Sequence, residues 1–188
     1  MGTSQDAATV GYFTTLEDER AGWTGGLLVL NGGGRPLEFQ CTLPIRPSRA
    51  HEILFGSSLR HHLISEVIGP TLLKKCRTPI SLLCCQQVEA LKLQETAIGP
   101  GADASGGQCT VALVVSAAEE DEGPIDESML QGFQRVELAE TPILVPNRRL
   151  TQVESLLPRL NDLADAAEPF ERICEAIREA QSQVARAA

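Results

Sequence analysis

Residues 41–80, which we call the basic block, hold most of the side chains in this sequence that could bind a ligand. The block has six basic and two acidic residues, a local charge of +4 in a chain whose net charge is −9, and it contains all three histidines. A local excess of positive charge is typical of an anion site for phosphate, nucleotide or nucleic acid. Imidazole is the usual proton shuttle near neutral pH. The candidate anion- or ligand-binding residues are Arg46, Arg49, Arg60, His51, His61 and His62.

A second interpretation of the basic block stays open. Charge clusters are more often solvated surface than binding sites. The block could therefore be an ordinary solvated face that pairs with the acidic remainder of the same chain. Composition alone does not separate the two interpretations, although the solvated face is the commoner case.

Glu38 is the one weak candidate for a metal ligand. It lies two residues before Gln40, on the same face of a predicted strand. Metal-dependent nucleases of the restriction-endonuclease type place an acidic and a second polar residue in this way, because Mg²⁺ prefers carboxylate oxygens. Here glutamine replaces the lysine of that pattern, and the preceding strand offers no matching aspartate. The polar face of an amphipathic hairpin explains the pattern better, so we predict no metal and no cofactor.

Familiar catalytic motifs are absent from the sequence. It contains no G-x-x-x-x-G-K-[ST], no G-x-S-x-G and no H-E-x-x-H. The glycines at 32–34 lead into a strand and not into a helix N-terminus that could hold a phosphate. The six cysteines show no C-x-x-C spacing, so we expect free thiols that pack as small hydrophobic side chains.

The elements that must position these residues begin with a β-hairpin over about 26–43. An apolar arm, a turn cluster at 31–34 and an alternating second arm predict it. On the second arm the polar residues Glu38, Gln40 and Thr42 are predicted to face outwards. The residues predicted to face the core are Leu37, Phe39, Cys41 and Leu43.

Helices are predicted around the histidines and at the end of the chain. Ser48 predicts the start of a short helix over 49–55, and apolar spacing predicts a second from about 58 to 75, interrupted at Gly69-Pro70. Together with the apolar runs at 80–85 and 110–115, this order predicts an α+β fold. We expect an antiparallel or mixed sheet opened by the hairpin, helices packed on one face, and a C-terminal helical segment.

The predicted domain organisation has two parts. An α+β domain covers residues 1–149 and includes a flexible loop at about 96–108. Helices over 150–188 follow, and they pack on the domain or serve self-association. The apolar runs are too short for a membrane span and the N-terminus has no signal-peptide pattern, so we expect a cytoplasmic protein.

Two hypotheses for function remain, and the sequence leaves open whether the protein is an enzyme. The favoured one is a non-enzymatic interaction or accessory module with a protein partner or self-association. The alternative is a metal-dependent hydrolase, nuclease-like or nucleotide-handling enzyme that uses the basic block. We expect no membrane partner. We do not expect nucleic acid as a partner either, because the isoelectric point is near 4.8 and Phe55 is the one aromatic residue of the block.

Overall fold

The computed structural model describes residues 8–97, 109–125, 127–160 and 162–187. Most of the predicted flexible loop at about 96–108 lies outside the described residues. Among the described residues, no helix is long and apolar enough to cross a membrane.

In the part of the chain that the structure describes, seven strands form one central sheet, in the order β3-β2-β1-β4-β5-β7-β6. Strands β1, β4 and β5 run parallel to one another, while β2, β3, β6 and β7 pair antiparallel with their neighbours. The strands are β1 Thr9–Asp18, β2 Gly22–Asn31, β3 Pro36–Cys41, β4 Leu82–Cys85, β5 Thr110–Val114, β6 Phe133–Leu138 and β7 Thr141–Pro146. The α+β class and the mixed sheet are therefore confirmed.

Helices connect the strands and end the chain. The α-helices are α1 Arg49–Phe55, α2 Leu59–His61, α3 Gly69–Lys75, α4 Leu93–Thr96, α5 Val115–Glu122, α6 Leu150–Leu156 and α7 Glu168–Ala187. A π-helix, His62–Ile68, joins α2 to α3, so that 59–75 is one continuous helical run. The predicted interruption at Gly69-Pro70 is the place where this π-helix returns to α-helix, because Gly69 N–H donates to the carbonyl of Ile64, five residues back.

Helical layers cover both faces of the sheet, whereas the sequence predicted helices on one face only. Tyr12 of β1 packs with Phe170 and Ile173 of α7, whereas the next residue, Phe13, packs with Ile64 and other residues of the helical run 59–75. Neighbouring residues of a strand point to opposite faces. Because β1 is buried on both sides, each face needs its own cover, as is usual for parallel strands in the middle of a sheet.

The hairpin is confirmed, but the predicted inner face of its second arm is wrong. Asn31 Oδ1 accepts N–H groups of Gly33 and Arg35 at 3.1 and 2.9 Å and so closes the turn. Strand β3 is an edge strand, and α7 packs over β1 and β2. The apolar side chains of β3 therefore lie beyond the reach of α7. The side chains left exposed are Leu37 and Phe39, at 47% and 40%, with Cys41 and then Leu43 after the strand.

Candidate functional site

The chain after β3 runs back along β2 and carries Arg46 to the start of that strand. Thr42 N–H donates to the Gly25 carbonyl, and Ile45 and Trp23 exchange two backbone hydrogen bonds of 2.8 Å. Gly22 makes this close approach possible because its φ is +94°. A Cβ at position 22 would lie 2.4 Å from the Ile45 carbonyl oxygen and 2.9 Å from Arg46 Cγ.

Replacing Gly22 with alanine should destabilise the protein by roughly 1–3 kcal/mol, because a side chain at positive φ is strained and here also meets backbone. Urea unfolding measures this loss. Gly33→Ala is the matched control, since position 33 has ordinary φ and its nearest neighbouring atom is 3.6 Å away. Equal stability of the two variants would contradict the close packing of this segment.

Two of the three predicted histidines meet around one phenylalanine, and we call this group the ring cluster: His51, Phe55 and His62. Ser48 accepts the N–H of His51 and so caps α1, which places His51 and Phe55 one turn apart on that helix. The 3₁₀ turn Gly56–Ser58 then brings His62 back over Phe55. The rings of Phe55 and His62 stack with centroids 4.2 Å apart and planes 20° apart, and His51 meets Phe55 edge-on at 6.2 Å.

The remaining predicted residues have separate surroundings. Arg60 Nε donates to Glu89 at 2.8 Å, and its guanidinium lies 5.7 Å from the centroid of the Trp23 ring. Arg49 is paired with Glu52 at 2.9 Å, but its side chain is 82% exposed, so water screens that pair strongly. His61 lies on α2, where its Nε2 is 3.3 Å from the Ser65 hydroxyl. Arg46 is exposed.

A second group of cations lies at the far end of the helical run, and we call it the lysine end: Lys74, Lys75 and Arg77, all exposed. The distance from Leu59 to Lys75 along the helical run is about 25 Å. Glu38 fixes this end, because its carboxylate accepts the N–H groups of Arg77 and Thr78. The Cys76 thiol also donates to Glu38, at 3.6 Å. Thus Glu38, the weak metal candidate, uses its oxygens to hold the turn at 76–78.

The hydrogen bonds to Glu38 give the fold a dependence on acidity. Burial alone would raise the pKa of Glu38, but hydrogen bonds from Thr78, Arg77 and Gln40 outweigh it and lower the pKa from 4.5 to about 2. A carboxyl group with a lowered folded-state pKa stabilises the fold above its unfolded pKa, and this stabilisation is lost as the pH falls.

We therefore expect the free energy of unfolding to fall between about pH 5 and pH 2, and to fall less in Glu38→Gln. Near neutral pH that variant should be less stable by roughly 1–3 kcal/mol, because the amide accepts these hydrogen bonds without the charge. Urea titrations at several pH values measure both effects. Parallel pH profiles of the two proteins would contradict the role given to Glu38.

Sequence reasoning missed a polar network at the carboxyl end of β4, beside the middle of β1. Thr14 donates its hydroxyl proton to Gln86 Oε1 at 2.7 Å, and Gln87 Nε2 donates to Thr14 Oγ1 at 3.1 Å. Gln87 also accepts the N–H of Thr15 at 3.2 Å. These groups are neutral and satisfy one another. Among the residues that the structure describes, no three His, Cys, Asp or Glu side chains come together as ligands for a metal ion.

A crevice of about 500 Å³ opens beside this network, between the strand ends and α7. Gln86 and Ala117 line one side. The α7 side carries more acidic than basic groups, and these charges oppose phosphate binding there. The charged residues that line the crevice are Asp165, Glu168, Glu171, Glu175 and Arg178. The exposed cations of the basic block are therefore the better place for an anion.

Comparison with known proteins finds no matching protein-family model and no matching curated protein. Two solved structures of Ciona intestinalis endonuclease V are similar in fold. One is a substituted form in complex with a 23mer DNA that contains an inosine followed by a ribo-adenosine; it is 10% identical, covers 97% of this chain and 88% of that chain, and has a TM-score of 0.49. The other holds a 24mer DNA of the same kind, with 9% identity, 97% and 89% coverage and a TM-score of 0.45.

Both of these similar structures are complexes with DNA, and this finding corrects two expectations from the sequence. These expectations are protein–protein interaction as the main role and the exclusion of nucleic acid as a partner. The isoelectric point averages over the chain, whereas the cations that bear on a phosphate are the local ones. The chain is similar in fold to a DNA-bound endonuclease.

Proposed function

We propose that this protein binds nucleic acid through the basic block. The observation that carries the proposal is the exposure of five cations in two groups at the two ends of one helical layer, where they can contact phosphates of one strand. They are Arg46, Arg49, Lys74, Lys75 and Arg77. The proposal keeps the place and the ligand chemistry of the nuclease-like alternative, namely a phosphate-bearing ligand on residues 41–80.

The proposal assigns binding and not cleavage. The side chains where β4 ends beside the middle of β1 are the neutral Thr14, Gln86 and Gln87, which use their polar atoms on one another and on nearby backbone. The thiol of Cys76, next to the lysine end, has its pKa raised to about 11, by burial and then by the nearby Glu38 carboxylate. The thiol therefore stays protonated near neutral pH and serves as a hydrogen-bond donor.

Fluorescence anisotropy with labelled single-stranded DNA tests the proposal; a length of about 12 nucleotides lies within the roughly 4–16 that small single-strand-binding folds occupy. With five phosphate contacts, log K should fall with log salt concentration with a slope of about −3.5. Starting at about 50 mM salt keeps a weak, charge-driven complex measurable. No binding at low salt, or binding that salt does not weaken, would contradict the proposal.

The same complex, incubated with Mg²⁺ and examined on a denaturing gel, separates binding from cleavage. We expect an intact strand. Cleavage products that depend on the protein and on Mg²⁺ would show that the protein is a nuclease and that binding alone is too narrow a description.

A further inference from the structure

The geometry points to a stacking site for an unpaired base at the ring cluster, so we infer that the ligand is single-stranded nucleic acid and not a duplex. This inference rests on the proposed function, because it takes nucleic acid as the ligand. It adds a contribution of the bases to the binding affinity, beside that of the phosphates. The phosphate contacts of the cations alone would not distinguish one strand from two.

The rings of the cluster are held in place before any ligand arrives. His62 stacks on Phe55 at 4.2 Å, and its Nδ1 lies 2.6 Å from Glu66 Oε2, so the imidazole is fixed at its face and at one edge. His51, one turn before Phe55 on α1, supports the cluster from the side. A platform whose rings are already ordered loses little further side-chain freedom when a planar base joins the stack.

Helix α1, which carries His51 and Phe55, is open to solvent, and the exposed Glu66 carboxylate lies at the His62 edge of the cluster. Helix α1 has no buried residue, although Ile53 and Leu54 are apolar and are 68% and 80% exposed. A helix on a protein surface ordinarily buries its apolar positions against the core. Here they remain available to the apolar faces of bases. Arg46 and Arg49 are exposed close by in sequence, and they complement the charge of the backbone that would carry those bases.

Single strands offer the matching chemistry. Their bases can leave the stack and lie on aromatic side chains, whereas the bases of a duplex are covered by their neighbours. Every base has a π-face, so such a site tolerates any sequence. The combination of exposed cations with an ordered ring platform is the usual arrangement for binding single strands without sequence preference.

The experiment compares three labelled ligands of equal length by anisotropy: a single strand, its duplex, and a strand whose sugars carry no bases. Wild-type protein should bind the single strand about tenfold or more tightly than either of the others. Phe55→Leu keeps an apolar side chain but removes the ring. It should bind the single strand about as weakly as the baseless strand, and its affinity for the baseless strand should stay at the wild-type value.

Phe133→Leu is the matched control, because Phe133 is also partly buried but lies on β6, outside the basic block. It should bind all three ligands like wild type. If the single strand, the duplex and the baseless strand bind equally, or Phe55→Leu retains the preference for bases, the stacking site is refuted while nucleic-acid binding stands. If no ligand binds, the proposed function fails, and the stacking inference fails with it.

Discussion

Removing four cations together, as Arg46→Ala, Lys74→Ala, Lys75→Ala and Arg77→Ala, should lower the affinity for single-stranded DNA by about 10²-fold near 0.1 M salt. Each phosphate contact to a single strand contributes about 0.7 to the slope of log K against log salt concentration, so the slope should become shallower by about 3. Titrations at several salt concentrations give both quantities. The effect is large because these side chains are exposed and their contacts with phosphate are expected to act independently.

The control for this variant removes two exposed arginines outside the basic block, Arg148→Ala and Arg159→Ala. Both proteins lose positive charge, so a change in overall charge alone would weaken binding in both. We expect the control to keep the wild-type salt slope. If the slope of log K against log salt concentration becomes shallower by as much per removed charge in the control as in the variant with four substitutions, the binding is spread over the surface. In that case the basic block is not its site.

Truncating Phe170 to alanine should lower the free energy of unfolding by about 3–5 kcal/mol, the usual cost of emptying the space of a buried aromatic ring. Phe170 is 3% exposed and meets Tyr12 of β1 edge to face at 5.3 Å. It therefore joins α7 to the centre of the sheet. Urea unfolding followed by circular dichroism measures the loss.

Leu54→Ala provides the comparison, since Leu54 is 80% exposed and its truncation should change the stability by no more than about 0.5 kcal/mol. A stability of Phe170→Ala close to that of wild type would show that α7 leaves the sheet readily. In that case the buried cluster between the sheet and α7, which includes Tyr12, Ile173 and Ile177, would not be a permanent part of the core.

Local signals predicted much of the fold. The Asn31 turn, the Ser48 cap and the Gly69-Pro70 interruption each act within a few residues, and each appears in the structure where the sequence places it. The buried face of β3 could not be predicted in the same way. It depends on which strands α7 covers, and that helix begins more than a hundred residues later.

The candidate site likewise has features that could be predicted from the sequence and features that could not. The clustering of charge and histidine in residues 41–80 is visible in the sequence, and His51 and Phe55 share a helix face by their spacing alone. The stack of His62 on Phe55 depends on the path of the turn between two helices. The contacts of Glu38 with Arg77 and Thr78, and of Thr14 with Gln86, join segments 39 or more residues apart. No periodic pattern in the sequence indicates such pairs.

The most direct test of the central claim is a residue-by-residue map of the bound surface. Amide chemical shifts from ¹⁵N NMR can be followed while a single strand of about 12 nucleotides is added. We predict that the shifts change over residues 46–62 and 74–77, and that those around Gln86 and the α7 side of the crevice do not. Changes confined to the crevice, or spread evenly over the surface, would contradict the claim that the basic block binds nucleic acid.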